Sequence, residues 1–154
     1  MVQNGPIILV EDDSDDVLTM REALKDLKIE NKFIYFSNAI LAMKYLKETK
    51  EQPFLIICDL NMPFQNGLDF KKEIDGHPEL KKKCIPFIFY STSARYEDVA
   101  KAFLEMSIQG FFKKASSYAQ ILDDLTAIFE YWRKSKHPNC LIYWPHKLRY
   151  TPAF

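Results

Sequence analysis

The chain has 154 residues, the size of one ordinary domain, and its 47% hydrophobic and 27% charged residues suit a globular protein with a full core. Lys+Arg and Asp+Glu both number 21, so no global field recruits nucleic acid or an anionic membrane surface. No apolar run approaches a bilayer-spanning length, and Met1 to Pro6 lacks the basic start and apolar stretch of a secretory signal, so the cytoplasm is the expected location.

Along the chain, short apolar runs alternate with helix-period stretches. Ile7 to Val10 is a β-branched run that stops at Glu11-Asp12-Asp13. Val17, Met20, Leu24 and Leu27 follow at spacings of three and four, which predicts an amphipathic helix. Asp13 or Ser14 is placed to cap it. Phe33 to Phe36 is a second strand, and Ala39, Ala42, Met43 and Leu46 mark a second helix. Phe54 to Cys58 is a third strand, ending at Asp59; a turn with Pro63 and Gly67 leads to a short helix around Phe70 to Ile74. Ile85 to Tyr90 is a fourth strand, ending in Ser91-Thr92-Ser93. Val99, Ala102, Phe103 and Met106 predict a fourth helix. Ile108 to Phe112 is a shorter fifth strand ending at Lys113-Lys114, and Ile121, Leu125, Ile128 and Trp132 line a terminal helix.

Five strands alternating with five helices predict an α/β fold with a parallel sheet. The unbroken apolar runs predict strands buried on both faces, with right-handed crossovers placing helices on both sides. Residues 135–154 break the pattern with Pro138, Pro145 and Pro152 and the aromatics Tyr143, Trp144, Tyr150 and Phe154. Residues 1–134 are therefore expected to form the domain. The remaining tail is too short for an output domain such as a helix-turn-helix module. Cys58, Cys84 and Cys140 form no C-x-x-C, and Cys58 reads as a small buried hydrophobe. His137, Cys140 and His146 share the tail but lack the closely paired spacing of a structural zinc site.

The chemistry falls at the strand ends. In an open parallel sheet, ligands bind beyond the carboxyl ends of the strands. Those ends carry Glu11-Asp12-Asp13, Asp59, Ser91-Thr92 and Lys114. Each alone has a bland reading: a helix cap, a turn residue, a turn hydroxyl, a solvated lysine. The set in sheet order does not. Converging carboxylates repel; two like charges about 4 Å apart cost on the order of 4 kcal/mol at an effective dielectric near 20. A hard cation such as Mg²⁺ relieves that cost, and a lysine with a hydroxyl suits a phosphoryl group. Together these parts describe a carboxylate that attacks phosphorus and forms an aspartyl-phosphate.

The segments Ile8-Leu9-Val10-Glu11-Asp12-Asp13, Asp59-Leu60-Asn61-Met62-Pro63 with Gly67, Ser91-Thr92-Ser93-Ala94 and Gly110-Phe111-Phe112-Lys113-Lys114 resemble the receiver domains of two-component response regulators. The resemblance covers residues 6 to 134 and implies a flavodoxin-like, doubly wound sheet of order 2-1-3-4-5, the order that general fold rules already give for the chemotaxis member of this family. It implies Asp59 as phosphoacceptor and metal ligand. Glu11 and Asp12 become the acidic pair for Mg²⁺, and Asn61 the donor of a backbone carbonyl to the same ion. Lys114 becomes the phosphoryl partner and Phe111 the switch aromatic. The switch hydroxyl is Ser91 when counted from Pro86 and Thr92 when counted back from Lys114, with Ser91 preferred. The implied partners are a sensor histidine kinase or histidine phosphotransfer protein and a downstream protein. A homodimer through the fourth helix, fifth strand and fifth helix is a further implication. The terminal helix with Trp132 and the short tail also resemble single-domain regulators paired with phytochrome-type kinases.

Two departures stand out. Ala115 follows Lys114 where the family usually has proline, and a non-proline cis bond would cost about 2.5–4 kcal/mol, so a trans bond and a reshaped loop are expected. Phe111 lacks the hydroxyl of the commoner tyrosine. The expected function is a non-enzymatic phosphoacceptor, with at most self-phosphorylation and self-dephosphorylation, that signals by protein contact. The alternative is a receiver-like module that is never phosphorylated; Ala115 motivates it and the intact acidic set opposes it. A dehalogenase-type phosphohydrolase is disfavoured, because its second acid would fall at Asn61.

Overall fold

The computed structural model describes residues 4–138. Its elements in chain order are β1 (Ile7–Val10), α1 (Ser14–Asp26), β2 (Phe33–Phe36), α2 (Ala39–Glu48), β3 (Leu55–Cys58), α3 (Gly67–Gly76), α4 (Pro78–Lys82), β4 (Phe87–Ser91), α5 (Tyr96–Glu105), β5 (Gly110–Lys113) and α6 (Tyr118–Lys134). The five strands are parallel in the order β2-β1-β3-β4-β5. This is the expected flavodoxin-like sheet, with six helices rather than five. The additional helix, α4, has Pro78 at its start, Glu79 in its first turn and Lys81 and Lys82 in its last, so its charges complement the helix dipole. Only Leu80 of its residues is buried, which leaves no periodicity to read.

Strand alternation divides the core into two layers. Ile7, Leu9, Leu55, Ile57, Ile88 and Tyr90 face Val17, Met20, Leu24, Leu125, Ile128 and Trp132 of α1 and α6. Ile8, Val10, Ile56, Cys58, Phe87 and Phe89 face Ala42, Met43, Leu46, Phe70, Ile74 and Ala102 of α2, α3 and α5. The three central strands are buried throughout, whereas β2 and β5 at the edges are only half-buried. A fully buried Ile or Phe contributes about 1.5–3 kcal/mol, so the central strands carry most of the driving force. Phe103, expected on the buried stripe of its helix, is 54% exposed; Ala102 is the residue of α5 that reaches the core.

Side-chain caps fix where the helices begin. Asp13 caps α1 by accepting the backbone N–H groups of Asp15 and Asp16. Asn38, Asn66 and Ser117 do the same for α2, α3 and α6. All four caps follow a strand of the parallel sheet, so they sit on the side where the strands end and also set the length of the loops that carry the polar residues.

Past α6 the chain turns back under the sheet. His137 is buried, with its ring stacked on Phe54 at 4.3 Å and edge-on to Trp132 at 4.7 Å. Its Nε2–H donates to the Phe54 carbonyl at 2.7 Å; a carbonyl only accepts, so this nitrogen carries the proton. Cys140, Tyr143, Trp144, His146, Tyr150 and Phe154, singled out in the sequence, lie outside the described residues.

Burial lowers the His137 pKa from its ordinary 6.5, and the hydrogen bond to Phe54 only partly opposes this. The unfolded chain therefore binds the proton more tightly than the fold does. The stability contributed by neutral His137 is complete above pH 6.5 and is lost as pH falls through the folded pKa. Thermal unfolding from pH 7.5 to 5 is expected to show this loss, and His137→Phe, which keeps an aromatic ring in the stack and removes the titration, is expected to flatten that part of the profile.

Candidate functional site

The chain reverses its winding direction between β1 and β3, which creates a crevice at the carboxyl ends of these neighbouring strands. Val10 and Cys58 are register partners, so the next residues, Glu11 and Asp59, leave the sheet side by side. The Asp59 N–H donates to the Val10 carbonyl at 3.0 Å and locks that adjacency. Asp12 starts the loop to α1 and is exposed, while Glu11 and Asp59 are buried. Carboxylate oxygens of Glu11, Asp12 and Asp59 lie within 4.8 Å of one another.

Asp59 is held by its own loop. Its Oδ1 accepts the backbone N–H groups of Leu60 at 2.7 Å and Asn61 at 3.4 Å, which leaves Oδ2 facing the crevice. Gly67 lets α3 approach this loop. Its N–H donates to the Leu60 carbonyl, and a Cβ on it would stand 2.3 Å from the Asp59 carbonyl oxygen and 3.1 Å from Leu60 Cα.

Lys114 reaches in from the end of β5. Ser91 pairs with Lys113, and the Lys114 N–H donates to the Ser91 carbonyl at 2.8 Å. The ammonium bonds Glu11 Oε2 at 2.5 Å, Asp16 Oδ2 at 2.8 Å and Asp59 Oδ2 at 3.3 Å. Burial works against its charge, but the hydrogen bonds to Asp16 and Glu11 outweigh it, and the Lys114 pKa lies above the ordinary range. Burial pushes Glu11 up to about 7, with the Asp59 charge adding to the effect, while the Lys114 and Asp13 hydrogen bonds hold it down.

Of the two hydroxyl candidates, Ser91 is the last residue of β4, fully buried, with Oγ accepting the Ser93 N–H at 3.3 Å; Thr92 is exposed. Phe111 is partly buried on β5, its ring 5.4 Å from that of Phe89. The Lys114–Ala115 bond is trans. The Ala115 N–H, which a proline would lack, donates to Tyr90 Oη at 3.4 Å, and Tyr90 Oη donates in turn to Asp124 at 3.4 Å.

The residues named from the sequence thus converge at one end of the sheet, and an all-oxygen set of three carboxylates suits a hard divalent cation. Asp16 and Tyr90 were not singled out. Asp16 sits in the first turn of α1, where an acid is ordinary. Tyr90 looked like one more apolar strand residue.

The response regulator receiver domain family matches residues 7–126. The chain belongs to that family. Response regulator Rcp1 of Synechocystis sp. is 29% identical over 131 residues, which cover 82% of this chain and 87% of Rcp1. The crystal structure of the phosphorylated cyanobacterial phytochrome response regulator RcpA superposes with a TM-score of 0.75 at 27% identity, covering 85% of this receiver and 95% of RcpA. The Mn²⁺-bound form of Rcp1 superposes with a TM-score of 0.73 at 27% identity, covering 85% and 96%. Among the described residues, no helix is long and apolar enough to cross a membrane.

The contact at Gly67 makes a direct prediction. Gly67→Ala must move either the Asp59 loop or the start of α3, since the nearest obstacle is backbone. Chemical denaturation is expected to show a loss of about 1–3 kcal/mol, against little change for Gly76→Ala, where the added methyl meets nothing within 4 Å.

Proposed function

We propose that this receiver accepts a phosphoryl group on Asp59 from a histidine kinase or histidine phosphotransfer protein and signals through the changed surface. The observation that carries the reading is the convergence on Asp59: Lys114 lies 3.3 Å from its Oδ2, with Glu11 and Asp12 in the same cluster. Glu11, Asp12, Asp59 and the Asn61 backbone carbonyl would hold Mg²⁺. When bound, the cation neutralises carboxylate and phosphoryl charge. That the related Rcp1 has a Mn²⁺-bound form supports this assignment.

Asp59 is suited to the attack. Two backbone N–H groups orient its carboxylate, and Oδ2 remains on the open side. The O–P bond forms at Asp59 as the P–N bond of the phosphohistidine breaks, and the electron pair returns to the donor imidazole nitrogen. Lys114 stays charged throughout and pairs with the incoming phosphoryl oxygens as a point charge. Ser91, at the buried end of β4, supplies the hydroxyl that would draw toward a phosphoryl oxygen, and Phe111 is the neighbouring aromatic that would follow it inward. The downstream partner, and a homodimer through α5, β5 and α6, belong to the same proposal. Exposed Phe103 and Leu104 on α5 favour a protein-contact role for that face.

Incubation with acetyl phosphate and Mg²⁺ is expected to add one phosphoryl group by intact mass. Asp59→Asn is expected to abolish the adduct while leaving the thermal transition in place; an adduct that survives this substitution would exclude Asp59 as the acceptor. Chelation of the divalent cation with EDTA is expected to suppress labelling of the unsubstituted protein, and excess Mg²⁺ to restore it.

A further inference from the structure

An ammonium has three N–H donors, and on Lys114 all three meet carboxylates: Glu11, Asp16 and Asp59. Glu11 and Asp59 belong to the cluster that could hold a cation, and Asp16 does not. Lys114 and a divalent cation therefore draw on the same two carboxylates, Glu11 and Asp59. They also repel one another as like charges in a partly dehydrated crevice. Both can be accommodated only if the ammonium keeps a partner outside the cluster. Asp16 is such a partner. It sits in the first turn of α1, its N–H is bonded to the capping Asp13 carboxylate, and its own carboxylate is about half-exposed and 2.8 Å from Lys114.

We propose that Asp16 is a positioning residue that anchors Lys114, drawing the ammonium away from Glu11 and Asp59 so that these carboxylates can take a divalent cation while Lys114 remains beside Asp59. The proposal rests on the phosphoacceptor reading above. Without Asp16, Lys114 has only the cation ligands to bond and competes with the metal for them.

Mn²⁺ binding, followed through the EPR signal of the free ion, tests this. Asp16→Asn is expected to weaken binding by about twofold to fivefold, a range set by the worth of a partly exposed ion pair. Asp15→Asn removes the same charge from the same turn, but Asp15 is not among the carboxylates bonded to Lys114. Its effect is expected to be smaller. In a Lys114→Met background the Asp16→Asn effect is expected to shrink to that of Asp15→Asn, because the route through the ammonium is gone. Asp16→Glu is expected to restore most of the affinity. Equal effects of the two Asn substitutions, or an Asp16→Asn effect that is unchanged without Lys114, would overturn the proposal. Unsubstituted protein that binds no Mn²⁺ would overturn the metal-dependent reading beneath it. Normal binding that is indifferent to Asp16 would overturn this inference alone.

Discussion

Two buried carboxylates, Glu11 and Asp59, crowd the end of this sheet because the register leaves no alternative. Once Val10 pairs with Cys58, the residues that follow them must emerge together, and those residues are acids. The energetic consequence is a local concentration of negative charge with burial behind it. Lys114 is the counterweight that the fold supplies. The pairing of β4 and β5 delivers that ammonium, since the Lys114 backbone is fastened to Ser91 at the end of β4. Removing one partner of a buried ion pair commonly costs more than the pair contributes, which makes Glu11 and Lys114 the most interdependent members of the set.

Most of this set was legible in the sequence, for a simple reason. Apolar runs end abruptly at polar residues, and parallel topology puts all such ends on one side of the sheet. Glu11, Asp59, Ser91 and Lys114 each needed only the end of a strand to be recognised. The register between Ser91 and Thr92 was ambiguous from spacing, because two counts along the chain disagreed by one residue. In the structure Ser91 closes the β4 ladder and Thr92 has left it.

What the sequence did not show depends on side chains meeting across elements. Asp16 resembles any acid in the first turn of a helix, where the dipole alone justifies it. Its contact with Lys114 spans 98 residues of sequence and has no local signature. Tyr90 is similar: alternation predicts that it faces α6, but not that its hydroxyl meets the N–H freed by Ala115. The departure from proline therefore comes with a partner for the group it exposes. Short α4 escaped because five residues with one buried side chain carry too little pattern.

His137 joins the two ends of the domain's architecture. One side of its ring rests on Phe54 at the entry to β3, and the other meets Trp132 near the exit of α6. The segment after α6 is therefore held at two points, against Phe54 and against Trp132, and a rotation of α6 would bear on the entry to β3 through that one ring.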